Sequence, residues 1–108
     1  MDQWILEGCV DSLESALAAQ RGGADRLELC SNLVIGGTTP DTCLFRQVRQ
    51  QCRIKVNVLI RPRFGDFCYS DSEFECILDA ARQFHDLGAD GIVIGVMRPD
   101  GSLDEVRM

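Results

Sequence analysis

The chain has 108 residues, 45% of them hydrophobic, and a formal net charge of -6 at neutral pH. This length fits a single domain spanning residues 1–108. The acidic balance argues against nucleic acid and anionic membranes as partners, because both favour a basic surface. No apolar run reaches the length of a membrane span, and no basic-then-apolar leader opens the chain. With six cysteines, no Cys-x-x-C pair and no leader, the sequence predicts reduced thiols in the cytoplasm.

The first third of the chain predicts a strand, a helix and a second strand. Residues 4–10 form the first apolar run, and Asp11 is placed to cap the helix that follows. The glycine pair at 22–23 ends that helix, and residues 27–30 form the second strand.

The middle of the chain predicts another helix and strand. After a loop with two adjacent glycines, Thr39 and Pro40 indicate a helix start, because proline is favoured at the first helical position. Residues 54–60 are rich in β-branched side chains and predict the third strand.

The last third opens with a long loop, residues 60–71, that carries arginines, aromatics and a cysteine. Ser70 and Glu73 then have the spacing of a capping box, which predicts a third helix. Residues 91–96 form the fourth predicted strand, and Ser102 is placed to cap a further helix at the end of the chain.

Two stretches of the chain resemble each other. Residues 22–30 and 87–95 each contain a helix end, a Gly-Ala-Asp turn and a buried strand. Such repetition is typical of βαβ units, which imply parallel strands joined by right-handed crossovers.

This alternation fits either a doubly wound sheet or a (β/α)₈ barrel of the TIM type. A complete barrel needs roughly 200 residues or more, and four strands supply half of one. The sequence therefore predicts an α/β half-barrel of about four parallel strands and three to four helices, as expected of a truncated chain. Its open edges would require a homo-oligomer or the missing C-terminal half of the barrel.

A duplicated Glu-x-Cys pattern marks the ends of the first two strands. Because side chains alternate along a strand, Glu7 and Cys9 share one face, and Glu28 and Cys30 share one face of the next strand. Two thiolates on adjacent strands would suit Cu(I) as a ligand, whereas the two carboxylates could act as acid and base. Two small buried cysteines with a packing role are the plainer alternative.

Two arginines follow the third strand and are the candidate anion-binding residues. Arg61 lies at the end of this strand and could hold a carboxylate or phosphate with two hydrogen bonds, and Arg63 in the loop could reach the same ligand. A structural ion pair of Arg61 with Glu7 or Glu28 is the alternative.

Several of these segments together resemble the CutC family of copper homeostasis proteins. The matching segments occur in order along nearly the whole chain: CVDS at 9–12, RGGADRLELCS at 21–31, GGTTP at 36–40, IRPR at 60–63, GDFCYSD at 65–71 and GADG at 88–91. The resemblance covers the N-terminal half of the family's length.

The resemblance implies a cytoplasmic TIM barrel linked to copper tolerance and copper binding. Cys9 and Cys30 match the family cysteines that are candidates for Cu(I). The polar pocket at the carboxyl ends of the family's strands is matched by Glu7, Glu28, Arg61 and Arg63.

Three positions depart from the family's pattern. Gly8 stands in place of a branched apolar residue, which should loosen the first strand. Asn57 stands where the family often has histidine, and Phe64 replaces a small residue in the arginine loop.

Three hypotheses about function follow. The first is a copper homeostasis protein that binds Cu(I) through Cys9 and Cys30. The second is a TIM-barrel enzyme for a small phosphorylated or carboxylated metabolite, with the arginines binding the anion and Glu7 or Glu28 moving a proton. The third is a half-barrel that folds or dimerises without further activity. The ligand is thus a metal ion or a small anion, and whether the protein is an enzyme stays open.

Overall fold

The computed structural model describes residues 3–108, which form four strands and three α-helices in alternation. A single turn of 3-10 helix, Leu33–Ile35, lies between the second strand and the second helix. In chain order the elements are β1 (Glu7–Val10), α1 (Leu13–Arg21), β2 (Arg26–Leu29), α2 (Thr42–Gln51), β3 (Lys55–Leu59), α3 (Asp71–Asp86) and β4 (Gly91–Val93).

The four strands form one parallel sheet in the order β1-β2-β3-β4. This confirms the predicted α/β arrangement of four parallel strands with helical crossovers. The register places Cys9 beside Glu28, and Glu28 beside Asn57. In the described part of the chain, β1 and β4 each pair on one side, so both edges of the sheet are open.

The three helices cover one face of the sheet. Leu27 and Leu29 of β2 point into the core with Val56 and Val58 of β3, and all four are fully buried. The alternate residues of β1, β2 and β3 include polar side chains, which lie on the opposite face of the sheet, as strand geometry requires. They include the half-buried residues Glu7, Arg26, Glu28 and Asn57 and the exposed Lys55.

The repeated Gly-Ala-Asp turn forms the same structure twice. The Asp25 carboxylate accepts a hydrogen bond of 2.8 Å from the amide of Leu6, while its own amide donates to the Leu6 carbonyl. Asp90 makes the equivalent pair of bonds with Val56, at 2.8 and 2.9 Å. Each aspartate therefore joins the end of a helix to the strand that precedes that helix. The resemblance between the two stretches is confirmed as a structural repeat.

The helix starts agree with the sequence in one case and differ in two. The Ser70 hydroxyl and the Glu73 carboxylate form the predicted capping box of α3. Helix α1 is capped by Ser12 instead of Asp11, and α2 is capped by Asp41, two residues after the predicted Thr39. Thr39 has another role: its hydroxyl accepts a hydrogen bond from the Arg61 amide at 2.9 Å.

Both edge strands are shorter than predicted, and the predicted final helix does not form within residues 3–108. Strand β1 begins at Glu7 because the preceding residues do not pair in the sheet, and β4 ends at Val93. Ser102 bonds to Asp100 in a turn instead of capping a helix, and residues 97 and 103 form an isolated antiparallel bridge. Nowhere in residues 3–108 is a helix long and apolar enough to cross a membrane.

Candidate functional site

The carboxyl ends of β1 and β2 bring two thiols to one glutamate. The Cys9 Sγ donates to a Glu28 carboxylate oxygen at 3.3 Å, and the Cys30 Sγ donates to the Glu28 backbone carbonyl at 3.7 Å. The register explains this contact, because Cys9 pairs with Glu28 while Cys30 lies two residues further along the chain. Both candidate metal ligands therefore contact Glu28, Cys9 through the carboxylate and Cys30 through the backbone carbonyl of its own strand, and they lie diagonally across the two strands.

The two thiols differ in their access to solvent. Cys9 is exposed, whereas Cys30 is only 2% exposed. The loop between Ser31 and Thr38 closes on itself through two backbone hydrogen bonds of 2.9 and 2.7 Å. It passes so near the buried thiol that a side chain at Gly37 would lie 3.6 Å from the Cys30 Cβ. A ligand can reach Cys9 directly, but it reaches Cys30 only beside this loop.

Both thiols are held in the protonated form. Partial burial, the hydrogen bond to Glu28 and the negative charge of that carboxylate raise the pKa of Cys9. Burial and the Glu28 charge raise the pKa of Cys30 to about 12. Neither residue is therefore an activated nucleophile, which requires a lowered thiol pKa.

Arg61 anchors the loop that covers Cys30. Its guanidinium donates to the carbonyls of Ile35 and Gly37 at 3.3 and 2.8 Å and to the carbonyl of Gly65 at 2.8 Å. The group also lies 5.2 Å from the centre of the Phe67 ring. Arg61 thus joins two loops, and the expected ion pair with Glu7 or Glu28 is wrong, since backbone carbonyls take its donors.

Glu7 pairs with a different arginine, Arg26 of β2, through a short contact between the guanidinium Nε and a carboxylate oxygen. The two residues are neighbours in the register of β1 and β2. Glu7 therefore lies one pleat below the thiols with its charge compensated, while Glu28 contacts Cys9 directly.

Arg63 is engaged in the loop that follows β3. Its guanidinium bonds to Glu73 at 2.6 Å and to Asp66 at 3.2 Å, and it lies 4.8 Å from the centre of the Tyr69 ring. The hydrogen bond from Arg63 lowers the pKa of Glu73. Arg63 orders its own loop against α3, and its internal partners differ from those of Arg61.

The three residues that depart from the family pattern, Gly8, Asn57 and Phe64, lie in different parts of the structure. Gly8 faces α1, where a side chain would lie 3.5 Å from Ala19, so the position has room for a small residue. Asn57 sits so close to β4 that a side chain at Gly91 would come within 2.6 Å of its Oδ1. Phe64 is 67% exposed at the tip of the arginine loop.

No further metal ligands join the two thiols. Within residues 3–108, no three His, Cys, Asp or Glu side chains come together in an arrangement that could hold a metal ion. Two surface cavities of about 350 and 360 Å³ lie elsewhere, one beside Trp4 and Lys55 and the other beside Arg46 and Gln83. The site is therefore an open edge with two soft donors and not an enclosed cage.

Sequence reasoning missed the contact between the glycine loop and Arg61. The signal was present as an arginine at a strand end and two adjacent glycines, both of which have positive φ in the structure. A guanidinium has five N–H donors and no acceptor, so backbone carbonyls of a nearby loop can take its hydrogen bonds. Which carbonyls it reaches depends on the path of the loop.

Parallel strands, helical crossovers and polar groups at the strands' carboxyl ends define a protein of the (β/α)-barrel type. The chain belongs to the CutC family, because the sequence profile of that family matches residues 4–108.

Two solved structures show how much of a barrel is represented. A protein from Streptococcus agalactiae, named as copper homeostasis protein CutC, is 30% identical and superposes with a TM-score of 0.88. The match covers 96% of this chain and 51% of that one, so the chain spans about half the length of its relative. An N-acetylmannosamine-6-phosphate 2-epimerase from Clostridium perfringens, 19% identical with a TM-score of 0.56, shares the fold over 89% of this chain and 39% of its own. Both matches support the half-barrel interpretation.

Proposed function

We propose that this chain acts in copper homeostasis in the cytoplasm by binding Cu(I) through Cys9 and Cys30. The observation that supports the proposal is that both thiols contact Glu28, one at its carboxylate and one at its backbone carbonyl, on adjacent strands at the edge where barrel sites are built. Soft thiolate ligands favour Cu(I) over hard cations. All six cysteines are free thiols, which a reducing compartment would maintain.

The donor set fits Cu(I) better than Zn²⁺. Structural zinc sites use four ligands, and the described residues offer no group of three. Cu(I) accepts fewer ligands, so two thiolates can suffice. The exposed Cys9 would receive the ion from solvent or from a donor molecule, and the buried Cys30 would then exclude water from the second coordination position.

Binding must release protons from both thiols, because a thiolate is the ligand and both pKa values are raised. The Glu28 carboxylate, which accepts the hydrogen bond from Cys9, is placed to take up one of these protons and pass it to solvent. Affinity should therefore rise steeply with pH, by about two log units per pH unit around neutrality.

A competition titration of the reduced protein against a Cu(I)-specific chelator tests this proposal. Replacing Cys9 and Cys30 together by serine should weaken binding roughly 100-fold or more, because a hydroxyl is a poor ligand for a soft ion. The matched control replaces Cys43 and Cys76, which are exposed on α2 and α3, and it should retain the affinity. Equal affinities for the two double variants would contradict the proposal.

A second candidate is an enzyme that binds a small anionic metabolite. One observation favours it: within residues 3–108, the Arg61 Nε is buried and has no hydrogen-bond partner. Three of the other four Arg61 N–H donors bond to carbonyls, and Arg63 is paired with Glu73 and Asp66, so an anion held by both arginines would compete with internal partners. We therefore place this function second.

Thermal unfolding in the presence of phosphorylated and carboxylated metabolites tests the second candidate. A stabilisation that saturates with the metabolite and disappears in Arg61→Lys would support it, because lysine cannot reproduce the guanidinium geometry. Arg82→Lys is the control, since that side chain is 71% exposed on α3. The absence of any saturable shift would contradict the second candidate and leave the copper titration unaffected.

A further inference from the structure

We propose that residues 31–38 form a lid over Cys30, and that this lid opens only together with the loop 62–68 that follows β3. The guanidinium of Arg61 joins the two segments, so a change in the second loop alters access to the thiol under the first. The effect on metal binding rests on the proposed role of Cys30 as a copper ligand, whereas the coupled opening does not.

The lid lies directly against the buried thiol. Cys30 is only 2% exposed, and a side chain at Gly37 would come within 3.0 Å of the Leu59 side chain and 3.6 Å of the Cys30 Cβ. No ligand fits between a backbone this close and the strands beneath it. A ligand that bonds to the Cys30 thiol therefore has to displace the lid. These contacts involve the two central strands, β2 and β3, and neither edge of the sheet.

The lid is built to move as one unit. Its ends are joined by the backbone bonds between Ser31 and Thr38, and the Asn32 amide donates to the Thr38 hydroxyl at 2.9 Å. In the part of the chain that the structure describes, the other hydrogen bonds of residues 31–38 are also internal, except those donated by Arg61. The lid can therefore separate from the sheet without loss of its own structure once Arg61 releases it.

Arg61 holds the lid and the second loop with the same group. Its Nη1 donates to the carbonyls of Ile35 and Gly37, and its Nη2 donates to the carbonyl of Gly65 at 2.8 Å. The side chain is only 9% exposed and lies against the Phe67 ring. The lid can lift only if Arg61 leaves the lid carbonyls or leaves Gly65, so the two loops share the cost of opening.

The second loop has its own support, which makes it a separate point of control. Arg63 donates to the carbonyls of Asp66 and Cys68 at 2.7 and 2.9 Å and so orders this loop without touching the lid. Gly65 has a φ of +99°, a conformation that is strained for any residue with a side chain. A side chain at Gly65 should therefore shift the carbonyl that Arg61 holds and weaken the hold on the lid.

Pulsed alkylation of the reduced protein, read at Cys30 by mass spectrometry, tests the coupling. Gly65→Ala should raise the Cys30 alkylation rate roughly tenfold, because Arg61 loses a partner and can move with the lid. The matched control is Gly88→Ala: its φ is +101°, and an added methyl group would meet no atom within 4 Å. It carries the same backbone strain away from both loops and should leave the Cys30 rate unchanged. An unchanged rate in Gly65→Ala, or equal acceleration in both variants, would overturn the proposal.

The unaltered protein gives a second test, which holds even if Gly65→Ala does not fold. Cys52 is 4% exposed in the hydrophobic core and has no lid, so its alkylation requires global unfolding. Cys30 should react at least roughly tenfold faster than Cys52, and its rate should depend less on urea, because a local opening exposes little surface. Equal rates with equal urea dependence would show that only global unfolding exposes Cys30, and would contradict the lid.

Transfer of Cu(I) to a chelator measures the consequence for the metal site. Gly65→Ala should release Cu(I) faster by about the same factor as it raises Cys30 alkylation, while Gly88→Ala should release it at the wild-type rate. Faster alkylation with unchanged release would overturn control of the metal by the lid. If the wild-type protein binds no Cu(I), the copper proposal fails, whereas the alkylation rates, which need no copper, still decide whether the lid exists.

Discussion

At the scale of single residues, Glu28 governs the chemistry of the candidate site. Its carboxylate accepts a hydrogen bond from the Cys9 thiol, and its charge contributes to the raised pKa of both thiols. The glutamate therefore acts in two opposing ways. It offers an acceptor for a departing proton, and it makes the thiolates that replace the thiols less stable.

The equilibrium effect of Glu28 can be measured by removing its charge. Glu28→Gln should lower both thiol pKa values and raise Cu(I) affinity at pH 7 by about tenfold, since one pKa unit corresponds to a factor of ten in the protonation equilibrium. The same chelator competition measures this change. Glu75→Gln, at an exposed position on α3, serves as the control and should have no effect. A loss of affinity in Glu28→Gln would show that the carboxylate is a ligand and would contradict the proposed role.

Arg61 is predicted to stabilise the loop over Cys30. Arg61→Ala leaves the carbonyls of Ile35, Gly37 and Gly65 without their donor, so we expect a loss of about 3 kcal/mol in the free energy of unfolding. Denaturant unfolding measures this loss. Arg82→Ala is the matched control, because its contact with Asp79 is an exposed ion pair.

The thiol chemistry gives an independent measure of the same loop. In Arg61→Ala, Cys30 should react faster with a thiol reagent under native conditions, because the covering loop is released. If Arg61→Ala loses stability while Cys30 reactivity stays at the wild-type level, Arg61 does not hold this cover.

At this scale the sequence predicts which face of the sheet the strand side chains occupy, but it does not predict the hydrogen-bond partners of the arginines. The alternation of strand side chains places Glu28 and Cys9 on the same face of the sheet, but only the register of β1 and β2 sets Glu28 beside Cys9. The bonds of Arg61 and Arg63 depend on loops whose backbone path is set by positive-φ glycines and tertiary contacts. Local patterns do not fix that path, so the partners of Arg61 could not be predicted from the sequence.

At the scale of elements, the two aspartate turns are chemically alike but differ in burial. Asp90 binds the amide of Val56, which is fully buried, and also pairs with Arg49 at 2.7 Å. Asp25 binds the amide of Leu6, which is 58% exposed. The same bond should therefore contribute more to stability in the second half of the repeat.

Alanine substitution at the two aspartates tests this difference. Asp90→Ala leaves a buried amide unsatisfied and should cost about 2–3 kcal/mol of unfolding free energy, whereas water can replace the bond lost in Asp25→Ala at a cost below about 1 kcal/mol. Equilibrium urea unfolding measures both values. A larger loss for Asp25→Ala would contradict the assignment of burial as the cause.

The Asp90 turn also predicts an acid-dependent stability. The hydrogen bond from the Val56 amide, together with Arg49, lowers the pKa of Asp90. A lowered folded-state pKa gives stability that is fully present above the ordinary aspartate pKa and is lost as pH falls through the folded-state value. The wild-type chain should therefore lose more stability between about pH 5 and pH 2 than Asp90→Ala does. Parallel acid profiles for the two proteins would exclude this contribution.

Helix starts show where sequence patterns suffice and where they fail. The Ser70–Glu73 capping box is local and self-contained, so the pattern alone predicted α3 correctly. The Thr39 cap was wrong because the Thr39 hydroxyl bonds to the Arg61 amide across the sheet edge, and Asp41 then caps α2. That competition between a local cap and a distant amide is a tertiary effect.

At the scale of the whole molecule, the chain is a four-stranded portion of a barrel fold that its family shares. The candidate thiol site lies at an open edge of this portion, so its surroundings depend on what covers β1.

X-ray absorption at the copper edge, on the one-to-one Cu(I) complex of the reduced chain, tests the central claim most directly. The account predicts a first coordination shell made of two sulfur atoms, which is lost when Cys9 and Cys30 are both replaced by serine and retained when Cys43 and Cys76 are replaced. A shell dominated by nitrogen or oxygen, or a sulfur shell that survives loss of Cys9 and Cys30, would contradict it.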